Sequence, residues 1–236
     1  MSIQQNQAWQ GRAEVMDLLI KAAFSGPISA LEIGVWYGIG STNIWLNNLH
    51  PASTLCLIDP WKPYASKEDL NDDVGYDYKQ MDDLSTDAFL STYLNVKKFQ
   101  NEQAHRGIKI STIRAEAKDF LPLLKDDSFD FIYIDGDHKY DNAKSDIQQA
   151  KRLINKKHGV ICGDDLDKLP TNELVEISKK FKNRDFLRGE NELFHPGVML
   201  AVSEEFNEVN MVNGTWWIAC KDGKFDVELL KPNIKK

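Results

Sequence analysis

The chain has 236 residues, of which 42% are hydrophobic and 28% are charged, and its formal net charge is −7. This composition is typical of a globular protein and excludes collagen-like, low-complexity and wholly disordered chains. Because a negatively charged chain repels a phosphate backbone, we expect no general nucleic-acid binding.

The N-terminal segment predicts an amphipathic helix from about residue 8 to residue 24, ended by Gly26-Pro27. Charged residues interrupt its apolar positions, so we expect neither a signal peptide nor a membrane span. The three cysteines share no CxxC spacing, which favours reduced core residues in a cytoplasmic protein. Trp9 and this helix could form an interface in a homo-oligomer. No linker interrupts the sequence, so we expect one domain over residues 1–236.

Short apolar runs alternate with helical patterns over the next 140 residues. Strands are predicted at residues 30–33, 55–58, 108–113, 129–134 and 160–162. These runs are apolar on both faces, which is typical of buried parallel strands. A helix at 43–49, capped by Ser41 or Thr42, and a helix with its apolar stripe at 140–154 lie between them. The prediction is an α/β fold with a doubly wound, mostly parallel sheet and helices on both faces.

Two later segments complete the predicted elements. Residues 171–181 are predicted to form a helix, and Val198–Val202 pairs with Thr215–Cys220 in a closing hairpin. A long connection, residues 60–105, exceeds the usual strand-to-helix loop and carries many aromatic residues. It is predicted to be an extra helical layer packed on the rest of the domain, a lid over a site at the strand ends, or both.

A glycine-rich turn follows the first strand, as Glu32-Ile33-Gly34-Val35-Trp36-Tyr37-Gly38-Ile39-Gly40-Ser41. Its spacing is neither the dinucleotide fingerprint nor a phosphate loop, which argues against a dehydrogenase. An acid before the first glycine suits a ligand with a cationic amino group. Asp59 ends the second strand, where a carboxylate can accept both hydroxyls of a ribose. The alternative is a tight turn with an Asp that caps the next segment.

Acidic residues end the fourth and fifth predicted strands, as Asp135-Gly136-Asp137-His138 and Asp164-Asp165. Because these ends share one edge of a parallel sheet, their carboxylates should meet and need a cation. Oxygen ligands without cysteine favour a hard ion held by Asp135, Asp164 and Asp165, with Mg²⁺ as the first choice and Mn²⁺ or Ca²⁺ as alternatives. Asp137 either caps the next helix or orients His138. The imidazole of His138 is a candidate proton acceptor beside the ion, and His195 is its rival.

These motifs together resemble the class I S-adenosylmethionine-dependent methyltransferases, most closely the metal-dependent O-methyltransferases of the macrocin type. The resemblance covers about residues 29–165. It rests on Glu32, Gly34, Gly38, Gly40 and Ser41, on Asp59, on Phe129 to His138 with Tyr140, and on Gly159 to Asp165. It implies a seven-stranded Rossmann-like sheet whose last strand is antiparallel.

The resemblance also implies a set of ligand contacts. Glu32, Gly34 and Gly38 would hold the methionine part of the cofactor, Asp59 would hold the ribose, and the Ala115-Glu116 turn would lie near the adenine. Ser41 is a further predicted cofactor contact, and Asp135 would contact both the cofactor and Mg²⁺. Catechol-type relatives carry Lys where this chain has His138, and Asp-Asn where it has Asp164-Asp165.

The predicted function is therefore a Mg²⁺-assisted O-methyltransferase that methylates a hydroxyl of a small molecule, with a sugar, a phenol and a polyketide natural product as the open substrate classes. His138 and Asp135 are the predicted catalytic residues. One alternative is a metal-dependent glycosyltransferase, in which Asp135-Gly136-Asp137 would be the Asp-x-Asp signature. The other is a non-catalytic domain that binds S-adenosylmethionine.

Overall fold

The structure is a computed structural model that describes residues 10–64, 66, 69, 81–188 and 193–233. The helices in these residues are α1 (Gln10–Ala23), α2 (Ser41–Asn48), α3 (Met81–Glu102), α4 (Ala117–Phe120), α5 (Tyr140–Leu153), α6 (Asn172–Phe181) and α7 (Pro196–Glu205). The strands are β1 (Ser29–Ile33), β2 (Thr54–Asp59), β3 (Lys109–Arg114), β4 (Phe131–Ile134), β5 (Gly159–Gly163), β6 (Leu187–Arg188), β7 (Leu193–Phe194), β8 (Asn210–Val212), β9 (Thr215–Lys221) and β10 (Lys224–Asp226).

The central sheet has the order β10-β9-β5-β4-β1-β2-β3. Strands β1 to β5 are parallel, and β9 runs antiparallel to β5. Both β8 and β10 pair with β9, the first at residues 215–217 and the second at 219–221. Because the other side of β9 is taken by β5, these two short strands share one edge. Eight strands thus fill seven positions, and the predicted doubly wound α/β fold is confirmed.

Alternating residues of the central strands point to opposite faces of the sheet. Leu55, Leu57 and Phe131 pack with α1, α2 and α3 on one face. Leu31 and Ile132 pack with α5 and α7 on the other. Burial on both faces explains why these strands are apolar throughout. The strand order reverses between β1 and β4, so the crevice at their carboxyl ends is the expected place for a ligand.

The predicted closing hairpin is wrong in one strand. Val198–Val202 lies in α7, which begins at Pro196 and packs against α5 and α6 with its apolar residues buried. A short run that is apolar all round does not distinguish a buried strand from a buried helix. The partner of β9 is instead β8, joined to it through Asn213-Gly214, a dipeptide that favours tight hairpins.

Other predictions concern the N-terminal helix and the cysteines. Helix α1 packs against α2 and β9 with its apolar face in the core, whereas Trp9 lies outside the described residues. All three cysteines are free, as expected. Within the described part of the chain, no helix combines the length and the apolar character needed to cross a membrane.

Candidate active site

The turn after β1 passes very close to the end of β4. Gly34 has a φ of +84°, and a Cβ atom placed on it would lie 1.8 Å from the carbonyl oxygen of Asp135. Any side chain at this position would therefore collide with backbone. Glycine here lets the β1 and β4 turns meet at the point where the strand order reverses.

Asp59, at the end of β2, holds this turn from the neighbouring strand. Its Oδ2 accepts the backbone N–H groups of Val35 at 2.8 Å and Trp36 at 2.9 Å, and its Oδ1 accepts that of Trp61 at 2.5 Å. Burial raises the pKa of the Asp59 carboxyl. Oδ1 keeps acceptor capacity for a hydroxyl group, because a carboxylate oxygen carries two lone pairs.

Glu32 is fully buried in β1 and joins the start of α2 to the sheet. Its carboxyl accepts the hydroxyl of Ser41 at 2.5 Å and that of Thr42 at 2.8 Å. Burial raises the pKa of Glu32 to about 8. Helix α2 begins at Ser41. The prediction that Ser41 or Thr42 caps this helix is wrong, because both hydroxyls donate to Glu32 instead.

Helix α3, from the long connection, supports the same turn from behind. The hydroxyl of Thr92 donates to the carbonyl of Trp36 at 2.7 Å, and Asn95 Nδ2 donates to the carbonyl of Gly38 at 2.6 Å. Trp61 packs edge-on against Phe89 of α3, with ring centroids 5.0 Å apart. This part of the connection is therefore the extra helical layer. Tyr76 and Tyr78 lie outside the described residues.

A cleft of about 710 Å³ runs along the carboxyl edge of the sheet. Its size suits a small ligand or cofactor. Five of the predicted cofactor residues line it, namely Gly34, Ser41, Asp59, Glu116 and Asp135. Glu32, Gly38 and Ala115 are not among the lining residues. At its far end the cleft is lined by His138 and Tyr64.

His138 lies where the cleft meets a cluster of acids. Its Nδ1 is 2.8 Å from Asp185 Oδ1, and its Nε2 is 3.1 Å from Asp165 Oδ2 and 3.7 Å from Asp135 Oδ1. Burial lowers the pKa of this imidazole, but the carboxylates of Asp185 and Asp165 outweigh burial and raise the pKa well above its usual value. His138 becomes a base only after its Nε2 proton has left.

His195, just before α7, lies beside His138, with ring centroids 4.9 Å apart. Its Nδ1 is 2.9 Å from Asp167 Oδ2, and its Nε2 is 4.0 Å from Asp165 Oδ2. A Cβ atom on Gly197 would lie 2.2 Å from the carbonyl oxygen of His138. Glycine in the first turn of α7 therefore allows the close approach that pairs the two imidazoles.

Arg12 of α1 occupies the other side of the acidic cluster. Its guanidinium forms an ion pair with Asp164 Oδ2 and lies 3.1 Å from Asp165 Oδ1. Asp164 also accepts the hydroxyl of Tyr133 at 3.2 Å and the backbone N–H of Asp165 at 3.0 Å. Both oxygens of Asp164 are thus engaged within the protein. Arg12 thus takes the place of a cation at Asp164 and Asp165, and the close group of metal-ligand atoms in the described residues joins Asp165 to His138 and His195 rather than to Asp135 and Asp164. The described residues therefore do not fit the predicted three-aspartate site.

The family is decided by a comparison of sequences. Residues 31–166, more than half of the chain, match the family described as Methyltransferase domain. The chain belongs to this family. The match covers the glycine turn, Asp59 and both acidic turns of the methyltransferase, and it favours methyl transfer over the glycosyltransferase alternative. No curated protein matches this methyltransferase in sequence.

Solved structures show the same fold. CalS11, a calicheamicin methyltransferase, aligns with a TM-score of 0.55 and 13% identity over 87% of this chain and 77% of its own. An O-methyltransferase from Bacillus cereus, in complex with SAH, aligns with a TM-score of 0.52 and 15% identity over 92% of this chain and 83% of its own. The methyltransferase therefore has the class I Rossmann-like fold, and its family supports S-adenosylmethionine as cofactor.

Asp137 serves the helix after β4 in this methyltransferase. Its Oδ1 accepts the backbone N–H of Lys139 at 3.0 Å, and its Oδ2 accepts Asn142 Nδ2 at 2.7 Å. Of the two predicted roles for Asp137, these contacts favour the turn that begins α5.

Four important residues of the site escaped the sequence reasoning, namely Arg12, Asp146, Asp167 and Asp185. Asp167 had a signal, because it is a third acid directly after β5. Asp146 lines the cleft from α5 but is hidden in the apolar stripe of that helix, and burial raises its pKa to about 8. Arg12 and Asp185 reach the site from distant parts of the chain, and no local pattern indicates them.

Proposed function

We propose that this methyltransferase moves a methyl group from S-adenosylmethionine to a hydroxyl oxygen of a small molecule. The observation that carries the proposal is one continuous cleft, which joins the turn at Gly34 and Asp59 to the acidic and imidazole groups around His138. Two similar structures support oxygen as the acceptor atom and a small molecule as the substrate, since one is named an O-methyltransferase and the other a calicheamicin methyltransferase.

The residues of the cleft fit the cofactor. Gly34 lines the cleft with no side chain to project into it, and the neighbouring Asp59 Oδ1 can accept a ribose hydroxyl. Glu116, after β3, lies where the adenine is expected. When bound, S-adenosylmethionine supplies a methyl group on a positively charged sulfur, and that charge drives the transfer.

The protein has two tasks in this proposal. It must align the acceptor oxygen with the methyl group, which can supply several kcal/mol of the barrier by positioning alone. It must also accept the hydroxyl proton. Asp135 and His138 both line the cleft. We propose that this pair accepts the proton of the substrate hydroxyl. Mg²⁺ assistance stays a prediction, because Arg12 engages Asp164 and Asp165, and no step here depends on it.

The long connection contributes the outer wall of the cleft. Lys62 forms an ion pair with Glu116 on the far side of the cleft, and the Tyr64 ring lies 6.0 Å from the His138 ring, centroid to centroid. We assign to residues 60–64, which contribute Pro60, Lys62, Pro63 and Tyr64 to the cleft lining, the role of excluding water and contacting the acceptor.

The test is methyl transfer from isotopically labelled S-adenosylmethionine to a panel of sugars and phenols. The expected product is a methyl ether, identified by mass spectrometry. Asp135→Asn should lower kcat by about 10²- to 10⁴-fold, which is typical for loss of a general base. Asp17→Asn, at an exposed position of α1, should leave kcat unchanged. Cofactor binding without transfer to any hydroxyl would favour the non-catalytic domain, and transfer to nitrogen or carbon would contradict the proposal.

A further inference from the structure

Two imidazoles in the site are oriented in the same way. Asp185 Oδ1 lies 2.8 Å from His138 Nδ1, and Asp167 Oδ2 lies 2.9 Å from His195 Nδ1. An ionised carboxylate only accepts hydrogen bonds, so each Nδ1 carries a proton and donates it. Each ring therefore presents its Nε2 on the opposite side. A carboxylate that fixes the outer nitrogen of a histidine is the usual support of a metal-binding imidazole.

The two Nε2 atoms converge on one carboxylate oxygen. Asp165 Oδ2 is 3.1 Å from His138 Nε2 and 4.0 Å from His195 Nε2. One potential ligand atom from each of the three residues lies within 4.8 Å of the other two. Metal–ligand bonds of about 2.1 Å place neighbouring ligand atoms about 3 Å apart. Small side-chain adjustments would therefore bring all three atoms onto one ion.

The cluster is built into the fold rather than spread on the surface. Asp165 follows β5, His138 follows β4, and His195 is held against His138 through Gly197. Asp185 is fully buried, and its backbone N–H donates to Asp69 Oδ1 at 3.1 Å. Asp167 Oδ2 also accepts the backbone N–H of His195 at 3.0 Å, so both orienting carboxylates are held by backbone contacts.

We propose that His138, His195 and Asp165 bind a divalent transition ion, of the Mn²⁺, Fe²⁺ or Co²⁺ class, on the side of the cluster away from Arg12. Two imidazoles and one carboxylate on one face favour such ions over Mg²⁺, which prefers oxygen ligands. Asp135, whose Oδ1 lies 3.7 Å from His138 Nε2, lines the cleft next to this site.

The role of the ion rests on the proposed function. A hydroxyl bound to a divalent ion has a lowered pKa and a fixed orientation. With the ion in place His138 is a ligand, so Asp135 takes the hydroxyl proton. Arg12 then neutralises the opposite side of the same acidic pair. This arrangement differs from the three-aspartate site, because Asp164 has no part in it.

The first test is electron paramagnetic resonance of Mn²⁺ added to the chelator-treated full chain. We expect one Mn²⁺ per chain, with pulsed spectra that show nitrogen couplings from directly bound imidazole. Mg²⁺ at an equal concentration should not displace it. Absence of nitrogen couplings, or displacement by equimolar Mg²⁺, would overturn the proposal.

The second test compares variants by Mn²⁺ titration. His195→Gln should weaken binding at least about tenfold, and Asp167→Asn about 10- to 100-fold, as expected for an orienting carboxylate. His105→Gln, at an exposed position, is the matched control and should bind as the wild type does. Asp164→Asn should keep the site, whereas loss of binding in Asp164→Asn with normal binding in His195→Gln would establish the three-aspartate site instead. If Asp164→Asn does not fold, the nitrogen couplings of the wild type decide.

Calorimetry with S-adenosylhomocysteine on the same samples separates this inference from the proposed function. A chain that binds the cofactor product but no Mn²⁺ overturns the ion site alone. A chain that binds Mn²⁺ but not the cofactor product overturns the proposed function alone.

Discussion

The two ends of the cleft are built in opposite ways. The end at Gly34 consists of backbone turns tied by buried acids, Glu32 and Asp59, which accept hydrogen bonds from hydroxyl and N–H groups. The end at His138 consists of charged side chains, with Asp165 between two imidazoles and Arg12. The first end depends on close backbone packing, because a Cβ atom on Gly34 would collide with the Asp135 carbonyl. The second depends on charge balance, because buried carboxylates need cationic partners.

This contrast implies that substitutions at the two ends fail for different reasons. Loss of a cation at the charged end should cost mainly stability, since it leaves buried carboxylates unpaired. Added volume at the glycine end should cost mainly cofactor binding.

The largest effect is expected for Arg12→Gln. Removing one partner of a buried ion pair costs about 3–5 kcal/mol, because Asp164 stays buried without its cation. Urea unfolding measures this loss. Lys21→Gln, which breaks an exposed pair with Asp17 on the same helix, is the control and should cost less than about 1 kcal/mol. Equal losses in the two variants would contradict the charge-balance account.

Gly34→Ala should abolish cofactor binding. The new Cβ atom would overlap the Asp135 carbonyl, and the positive φ adds strain, so unfolding free energy should fall by about 1–3 kcal/mol. Calorimetry with S-adenosylhomocysteine and thermal unfolding measure the two losses. Gly26→Ala is the matched control, since nothing lies within 4 Å of its added Cβ atom. Normal binding by Gly34→Ala would refute the importance of shape at this end.

Glu32 should make stability depend on pH. Its pKa is raised from 4.5 to about 8 by burial, so between these values the folded chain holds a proton that the unfolded chain lacks. Stability from this group is therefore complete below about pH 4.5 and is lost as the pH rises through 8. The slope is up to about 1.4 kcal/mol per pH unit. Glu32→Gln should remove this slope in urea unfolding measured from pH 5 to 9.

The exposed Glu102→Gln provides the control for that series, and its profile should match that of the wild type. An unchanged slope in Glu32→Gln would show that Glu32 is ionised in the folded protein.

Thr92→Val should give the smallest effect. It removes the hydrogen bond from α3 to the Trp36 carbonyl, which is worth about 1 kcal/mol. S-adenosylhomocysteine should bind a few-fold more weakly in calorimetry. Thr86→Val, at an exposed position of the same helix, should change neither the unfolding free energy nor the affinity for S-adenosylhomocysteine. Unchanged binding in Thr92→Val would show that α3 does not support the turn.

The glycine end was the more predictable of the two from sequence. Gly34 directly follows one buried strand and Asp59 ends the next, and the strand pattern alone indicated their common edge. Arg12 and Asp185 were unpredictable, because they reach the charged end from segments far away in sequence and bear no local motif. The assignment of Asp164 to Mg²⁺ shows the limit of such reasoning, since adjacency of acids says nothing about which oxygen a distant arginine engages.

The proposed function requires that the cleft at the carboxyl edge of the sheet bind S-adenosylmethionine beside Asp59. The most direct measurement is a crystal structure of the full chain grown with S-adenosylhomocysteine. We expect the ribose within hydrogen-bond distance of the Asp59 carboxylate and the sulfur directed toward Asp135 and His138. A cofactor product found elsewhere on the chain, or a cleft that stays empty at saturating concentration, would contradict it.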